Sequence, residues 1–336
     1  MKYILEYIWL DKNYKFRSKI KIYNTELDIL NIRDIPLWNY DASSTEQATG
    51  QDSERYLIPV AKYKNPFYKN KDSLLVLCET RDKNNKPLES NTRYNAKIEF
   101  DKYIDLEPWY GIEQEYFILN DNIKNKILTE DTKIVQGQYY CSIGSKNAFL
   151  RKIVDKHLLY CLYAELNISG VNAEVAPYQW EFQIGPCTGI ESGDQLLMAR
   201  YILEKIAEEE EYYIDYSPKP FPNLNGSGCH TNYSTKIMRK PGGLTHIFSA
   251  INKLRNNHLE HMEVYGKDNK LRMSGDYETS KYNKFSFNID TPVNRGASIR
   301  IGHDTIKNGM GYFEDRRPAS NIDPYVVTSK LLLTCF

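Results

Sequence analysis

The chain has 336 residues, of which 41% are hydrophobic and 26% charged, a composition typical of a soluble globular protein with a hydrophobic core. Its 44 basic and 44 acidic side chains cancel, so no overall field favours binding to nucleic acid or to an anionic membrane. No apolar run is long enough for a transmembrane helix, and the six cysteines include no C-x-x-C pair, so we expect a cytoplasmic protein without a disulfide framework or thiolate zinc site.

The N-terminal quarter of the chain consists mostly of short apolar or alternating runs that predict β-strands. These runs are KYILEYIWL, FRSKIKIY, YLIPVAKY and SLLVLCET. The polar loop RDKNNKPLESN follows them and is the strongest candidate for a domain boundary. We therefore predict a small β-rich domain over residues 1–86 and a larger α+β domain over residues 87–336.

Three segments of the larger domain have apolar residues at helical spacing and predict amphipathic helices. The first, NAFLRKIVDKHLLYCLYAELNISG, would end at Gly170. The second, SGDQLLMARYILEKIAEEEEYY, would be capped by Ser192 or Asp194. The third, GLTHIFSAINKLRNNHLEHMEVYG, would end at Gly266.

Acidic residues lie in strands where neighbouring residues are aromatic or apolar. The strand YGIEQEYF carries Glu113 and Glu115 two residues apart, so both side chains point to the same face. Two carboxylates in a poorly hydrated place repel each other unless a cation is present. In NAEVAPYQWEFQIGP, Pro177 favours a turn that would bring Glu174 near Glu181. Because exposed glutamates are common, Glu181 taken alone is equally consistent with a solvated position.

Two later strands add an imidazole and guanidinium groups. NGSGCHTNYS would place His230, Asn232 and Ser234 on one face, although a lone histidine is more often packed or at the surface. YFEDRRPASN would place Glu314 and Arg316 together on one face. Five glutamates, one histidine and several arginines suit two Mg²⁺ or Mn²⁺ ions and the chemistry of phosphoryl transfer. The chain contains no Walker A pattern.

A series of longer segments carries a resemblance to a known family. In chain order they are WNYDASSTEQATGQDSERYLIPVA, PWYGIEQEY, GVNAEVAPYQWEFQIGP, GDQLLMARYILEKIAEE, NGSGCHTNYSTKIMR, NRGASIRIG and GYFEDRRPASNIDPYVVT. With these segments the chain resembles the glutamine synthetases of the eukaryotic, shorter-subunit class almost from end to end. The resemblance implies an α+β fold, with an N-terminal β-grasp-like domain and a C-terminal catalytic domain built on an antiparallel sheet funnel flanked by helices.

The resemblance also implies a reaction and its ligands. The reaction is that of a glutamate–ammonia ligase, in which ATP, glutamate and ammonia give glutamine, ADP and phosphate through γ-glutamyl phosphate. Two or three Mg²⁺ or Mn²⁺ ions would be held in each active site. The implied metal ligands are Glu115, Glu174 and Glu181 for one site and Glu113, His230 and Glu314 for another. The implied ATP-binding residues are Trp109, Pro186, Asn232, Ser234, Arg300 and Tyr312. The implied glutamate-binding residues are Glu174, Gly226, Arg272, Arg295 and Arg316.

Three residues are implied to act in catalysis, and one of them implies an oligomer. Arg295 would stabilise the transferring phosphoryl group, and Glu278 would close a flap over the intermediate. Asp41 would bind ammonium and take its proton, from the N-terminal domain of a neighbouring subunit. The implied assembly is a homo-oligomer, a decamer of two stacked pentameric rings. The family's helical segment ahead of the first strand has no counterpart here, so the number of rings stays open.

The sequence departs from the family pattern at a few positions, and other functions remain to be weighed. Ala42 replaces a usual glycine, Tyr277 replaces a usual histidine, and the loop between Glu278 and Arg295 is a few residues longer. One alternative is a catalytically altered relative that serves as a structural or interaction protein, which the presence of all six metal ligands argues against. A second is a ligase for a larger amine, which is less consistent with Asp41 because a small charged cavity suits ammonium.

Overall fold

A computed structural model describes residues 1–129, 137–274 and 281–336 of the chain. These residues divide into two compact units, Met1–Ile98 with Leu159–Leu166 and Glu99–Leu158 with Asn167–Phe336. Every helix in the described part of the chain is either too short or too polar to cross a lipid bilayer. The functional division between residues 1–86 and residues 87–336 stays a prediction.

The first unit is a mixed five-stranded sheet in the strand order β2-β1-β5-β4-β3. Its strands are β1 (Lys2–Leu10), β2 (Phe16–Asn24), β3 (Trp38–Asp41), β4 (Glu54–Lys64) and β5 (Ser73–Arg81). The N-terminal strand β1 pairs in parallel with β5, and the other pairs are antiparallel. Leu5, Tyr7 and Trp9 of β1 enter the core of this unit, where Trp38 packs edge-on against Tyr7. The predicted β-grasp-like arrangement is confirmed.

The second unit is built on an antiparallel sheet in the order β11-β12-β10-β6-β8-β7, with β9 paired to β6. Its strands are β6 (Trp109–Leu119), β7 (Ile168–Ala173), β8 (Gln179–Thr188), β9 (Tyr213–Asp215), β10 (Cys229–Ser234), β11 (Ile299–Arg300) and β12 (Phe313–Asp315). Alternation decides which face of each strand enters the core. In β8 the side chains of Trp180, Phe182 and Ile184 are buried, whereas Glu181 and Gln183 point to the opposite face and line a cavity.

Helices cover the apolar side of this sheet, which confirms the predicted α+β class. The described helices are α1 (Thr92–Lys102), α2 (Asp121–Thr129), α3 (Arg151–Tyr163), α4 (Glu191–Glu209), α5 (Leu244–Asn256), α6 (His258–Val264), α7 (Asn269–Arg272), α8 (His303–Asn308) and α9 (Pro324–Cys335). The long helix α4 packs against β6 and β8, and α9 packs against α4, α5 and α6. Of the 19 residues of α4, 14 are buried, so this helix lies in the core of the unit.

The prediction of one helix as far as Gly170 was wrong. Helix α3 ends at Tyr163, because Glu165 takes a left-handed backbone conformation with φ of 63°. The N–H of Leu166 donates to the carbonyl of Cys161 and closes the last turn. The residues that follow instead form β7, which pairs with β8.

Two other helix predictions are corrected by local contacts. Helix α4 begins at Glu191, so Ser192 and Asp194 lie within it and neither is its N-cap. The hydroxyl of Ser192 donates to the carbonyl of Gly189, and Asp194 accepts a hydrogen bond from the hydroxyl of Tyr325. The third predicted helix is interrupted at residue 257, which separates α5 from α6.

Candidate active site

One cavity of about 810 Å³ in the second unit collects most of the charged residues predicted from the sequence. Its acidic lining residues are Glu113, Glu115, Glu174, Glu181 and Glu314. Its basic lining residues are Arg272, Arg295, Arg300 and Arg316. His230 and Gly226 also line it. Strands β6, β8, β10 and β12 therefore direct their polar faces into one space.

Glu113, His230 and Glu314 converge at the wall of this cavity. Glu113 on β6 lies directly opposite His230 on β10, and β12 adds Glu314 from the other side of β10. Nδ1 of His230 lies 3.6 Å from Oε2 of Glu113 and 3.5 Å from Oε1 of Glu314. An octahedral Mg²⁺ or Mn²⁺ with ligands at about 2.1 Å keeps adjacent ligand atoms about 3 Å apart. The three side chains therefore fit such an ion.

His230 is held in the form that ligates metals. Its burial and the positive charge of Arg316 lower the pKa of its imidazole, so the ring is neutral at physiological pH. A Cβ atom on Gly228 would lie 2.8 Å from Nε2 of His230. Glycine at that position therefore lets the ring lie against the backbone, with Nδ1 toward the two carboxylates.

Glu115, Glu174 and Glu181 form a second acidic cluster in the same cavity. Glu115 on β6 lies opposite Glu181 on β8, and Glu174 follows β7 at the turn into β8, as the turn at Pro177 predicted. The N–H of Gly228 donates to Oε2 of Glu115 at 2.8 Å. Among residues 1–129, 137–274 and 281–336, only Glu113, His230 and Glu314 place one ligand atom each within 4.8 Å of one another. The carboxylates of the second cluster are therefore more widely spaced.

The three carboxylates of this second cluster disfavour one another's ionised form. Burial and repulsion from Glu174 raise the pKa of Glu115, and burial and repulsion from Glu181 raise the pKa of Glu174. Burial and the charges of Glu115 and Glu113 raise the pKa of Glu181 to about 8. A divalent cation would relieve this repulsion, and carboxylate oxygens are ligands that Mg²⁺ and Mn²⁺ prefer.

The four arginines of the cavity differ in how they are held. Nη1 of Arg300 lies 3.0 Å from Glu314, and Nη1 of Arg316 lies 2.6 Å from it, so that carboxylate is bracketed by two guanidinium groups. Arg272 donates to Oδ1 of Asn269 and to the backbone carbonyls of Arg316 and Arg317. The side chain of Arg295 is exposed at the cavity wall.

A second, largely apolar cavity of about 410 Å³ lies in the same unit. Five of the six predicted ATP-binding residues line it, namely Trp109, Pro186, Asn232, Ser234 and Tyr312. The sixth, Arg300, lines the acidic cavity instead. The ring of Trp109 is stacked on the guanidinium of Arg239 at 3.9 Å, and Nη1 of Arg239 donates to the hydroxyl of Ser234 at 2.9 Å.

One predicted residue that the structure describes, Asp41, lines neither cavity. Asp41 belongs to the first unit, where it is exposed at the end of β3. Its carboxylate accepts hydrogen bonds from the N–H and the hydroxyl of Ser43, and these contacts lower its pKa. Glu278 and Tyr277 lie outside the described residues.

The structure also brings residues to the site that were not predicted. Gln183 donates hydrogen bonds to Glu181 and to Asn172, and Asn172 donates to Glu174 at 3.0 Å. Alternation along β8 places Gln183 on the same face as Glu181, two residues away, but does not by itself make it a site residue. No local signal identifies Arg239, since its contacts with Trp109 join distant parts of the chain.

Comparison with known sequences gives consistent matches. A sequence model of the family described as "Glutamine synthetase, catalytic domain" matches residues 89–248. A putative glutamine synthetase of Acanthamoeba polyphaga mimivirus is 54% identical over 98% of this chain and 93% of its own. The glutamine synthetase of Candida glabrata is 48% identical over 97% of this chain and 87% of its own. The glutamine synthetase cytosolic isozyme 1-1 of rice is 48% identical over 99% of this chain and 94% of its own length.

Solved structures agree with the fold. A cryo-EM structure of Plasmodium falciparum glutamine synthetase superposes with a TM-score of 0.77, covering 99% of this chain and 71% of the other, at 16% sequence identity. The GmaS/ADP complex superposes with a TM-score of 0.75, covering 99% of this chain and 77% of the other, at 15% identity. At these identities the likeness concerns the fold alone.

Proposed function

The chain belongs to the glutamine synthetase family, and we propose that it is a glutamate–ammonia ligase. It would join ammonia to the side-chain carboxylate of L-glutamate, with ATP converted to ADP and phosphate through γ-glutamyl phosphate. Family membership makes the protein a ligase of nitrogen metabolism that uses ATP and divalent metal ions. Because several of its relatives, the rice enzyme among them, are named cytosolic isozymes, we propose a cytosolic location as well.

The observation that carries this proposal is the meeting of six predicted metal ligands with four arginines in one cavity. A second cavity with an apolar wall adds room for a nucleotide base. Asn232 lines the second cavity and donates a hydrogen bond to Glu113, which lines the first. A nucleotide whose base occupies the apolar cavity could thus direct its phosphates toward the carboxylates.

The acidic residues would hold two or three Mg²⁺ or Mn²⁺ ions. One ion fits Glu113, His230 and Glu314, and a second suits the wider cluster described above. When bound, such ions offset the negative charge of nucleotide phosphates and of the transferring phosphoryl group.

The arginines and the nucleotide pocket would bind and orient the substrates. Arg272 and Arg316 suit the carboxylates of glutamate, because the guanidinium fork binds a carboxylate through two hydrogen bonds. Gly226 offers backbone to the same substrate. Arg300 suits nucleotide phosphates, and Arg295 would stabilise the phosphoryl group during transfer.

Ammonium would be bound by a residue of the first unit. The pKa of Asp41 is lowered by its contacts with Ser43, so Asp41 is ionised at neutral pH and suits a small cation. We propose that Asp41 reaches the acidic cavity of an adjacent subunit and removes a proton from ammonium. Glu278 would close over the intermediate and exclude water, which would otherwise hydrolyse an acyl phosphate. The proposed assembly is a homo-oligomer, a decamer of two pentameric rings.

The experiment that tests the function is an assay with purified full-length protein, ATP, Mg²⁺, glutamate and ammonium. We expect equal amounts of phosphate and glutamine, both dependent on ammonium and on glutamate. A Glu113→Ala variant is the control for contaminating phosphatase. A protein without ammonium-dependent phosphate release would be a catalytically altered relative. Faster turnover with a larger amine from a panel would indicate a different ligase.

A further inference from the structure

Gln114 lies between the two glutamates of β6, but its side chain points to the opposite side of the sheet. It is fully buried at 0% exposure, and its neighbours on that side are Ile112 and Tyr116. Burying an amide costs free energy that an apolar side chain would not. A glutamine in the middle of an apolar strand face therefore calls for a local reason.

Every hydrogen-bonding position of this amide is used. Oε1 accepts from Nε of Arg200 at 2.8 Å and from Nη2 at 2.5 Å. Nε2 donates to the carbonyl of Glu115 at 2.8 Å and to the carbonyl of Ser320 at 3.0 Å. An amide with all its positions satisfied has a single side-chain orientation, and it fixes the backbone of the strand around it.

Arg200, on α4, connects the same strand to the chain that precedes α9. Its Nη1 donates to the carbonyl of Ile322, and its Nη2 donates to the carbonyl of Ser320, both at 2.9 Å. These acceptors, like the amide of Gln114, are neutral oxygens. The charge of Glu204, on the same helix, partly offsets that of the guanidinium, and the hydrogen bonds to neutral oxygens hold the geometry of the surrounding backbone.

The other end of this network reaches the acidic cavity. The N–H of Ser320 donates to the carbonyl of Ser227 at 3.0 Å. The next residue, Gly228, forms two hydrogen bonds with Glu115. The N–H of Gly228 donates to the Glu115 carboxylate at 2.8 Å, and the N–H of Glu115 donates to the carbonyl of Gly228 at 3.0 Å. The backbone that holds the Glu115 carboxylate is thus itself held, through Ser320, by Gln114 and Arg200.

We propose that Gln114 and Arg200 are positioning residues for the acidic cavity. They fix the orientation of Glu115 and of the backbone at residues 227–228, so that a divalent cation binds to carboxylates already in place. Neither residue is among those that line the acidic cavity or the apolar cavity. This inference rests on the proposed function only in taking the cavity to be a metal site.

The test is Mn²⁺ titration of the full-length protein, followed by the electron paramagnetic resonance signal of free Mn²⁺, together with the melting temperature without metal. Gln114→Glu keeps the size of the side chain but removes both N–H donors. Arg200→Lys keeps the charge but cannot span Gln114, Ser320 and Ile322 with one ammonium group. We expect both variants to raise the Mn²⁺ dissociation constant about tenfold or more, for loss of hydrogen bonds that orient a ligand.

Two further variants separate positioning from stability. Asp194→Asn alters a buried contact of the same helix α4, with Tyr325, and should lower the melting temperature while leaving Mn²⁺ affinity within about twofold. The double variant Gln114→Leu with Arg200→Met removes both polar side chains together, so neither is left buried without the other. We expect it to fold and to bind Mn²⁺ as weakly as the single variants.

The outcomes are distinct. A folded double variant with the Mn²⁺ affinity of the wild type would overturn the positioning role while leaving the proposed function intact. A wild-type protein that binds no Mn²⁺ would overturn the metal-dependent function, and the positioning role with it. A wild-type affinity in Gln114→Glu and Arg200→Lys, with a lowered melting temperature, would assign the pair to stability alone.

Discussion

Asn232 donates a hydrogen bond of 2.8 Å to Oε1 of Glu113, and the two residues line different cavities. The amide therefore connects the wall of the apolar pocket to one carboxylate of the acidic cavity. Binding at either place is expected to influence the other, because both depend on the orientation of the same side chain.

The first prediction concerns this connection. Asn232→Ala should weaken the binding of ATP with Mn²⁺ by about tenfold or more, since a hydrogen bond to a charged group contributes about 1.5–3 kcal/mol. Binding of Mn²⁺ alone should weaken as well, and calorimetric titration measures both. Asn172→Ala is the matched control, because Asn172 donates to Glu174 but does not line the apolar pocket. The Asn172→Ala variant should bind Mn²⁺ more weakly, but its affinity for ATP should show no loss beyond that caused by the weaker Mn²⁺ binding.

The second prediction concerns pH and metal affinity. The raised pKa of Glu181, at about 8, means that this carboxyl holds a proton at neutral pH when no metal is bound. A cation must displace that proton, so the apparent Mn²⁺ dissociation constant should fall by about tenfold per pH unit for each proton released, up to about pH 8. Titrations at several pH values measure this slope. An apparent Mn²⁺ dissociation constant that stays the same between about pH 6 and 8, at constant ionic strength, would contradict this prediction.

The same carboxyl makes a third prediction, on stability. A carboxyl whose pKa is raised by folding contributes stability that is present below its unfolded value and is lost as pH rises through its folded value. The melting temperature of the metal-free protein should therefore fall as pH rises from about 5 to 8. Glu181→Gln should reduce this fall by at least about 3 °C in thermal unfolding, because the variant cannot ionise at that position. Equal slopes in the two proteins would exclude Glu181 as the cause.

Much of the site could be predicted from the sequence because strand alternation is a local property. Spacing alone predicts a common face for Glu113 with Glu115 and for Glu314 with Arg316, and in the structure both pairs line one cavity. Which strands lie side by side depends on pairing between distant segments, and spacing does not report it. Here the family resemblance supplied what the spacing could not.

Contacts over long sequence distances account for what was missed. The end of α3 depends on the left-handed backbone conformation of Glu165. A glutamate does not indicate this conformation in a sequence, because residues other than glycine, asparagine and aspartate rarely adopt it. The contact between Gln114 and Arg200 spans 86 residues, and neither residue stands out in its own segment. A buried glutamine in an apolar strand face is visible only once the opposite face is known to be the polar one.

The fourth prediction separates two arginines of the cavity. Arg295→Ala should lower kcat by about 10²–10³, the usual effect of removing a donor that stabilises a transition state, and should leave Mn²⁺ affinity unchanged. Arg300→Ala should instead tighten Mn²⁺ binding several-fold, because it removes a positive charge 3.0 Å from the ligand Glu314. Steady-state kinetics and Mn²⁺ titration of both variants test this contrast. Matching effects of the two substitutions would refute the separate roles.

The fifth prediction tests whether Asp41 acts on a neighbouring subunit. Asp41→Ala and Glu113→Ala should each be inactive as homo-oligomers, since one lacks the ammonium base and the other a metal ligand. When equal amounts are dissociated and reassembled together, about a quarter of the inter-subunit sites should combine an intact Asp41 with an intact Glu113. Glutamine formation should then recover to about that fraction of the wild-type rate. If Asp41 served the site of its own chain, every site would keep one lesion and mixing would restore no activity.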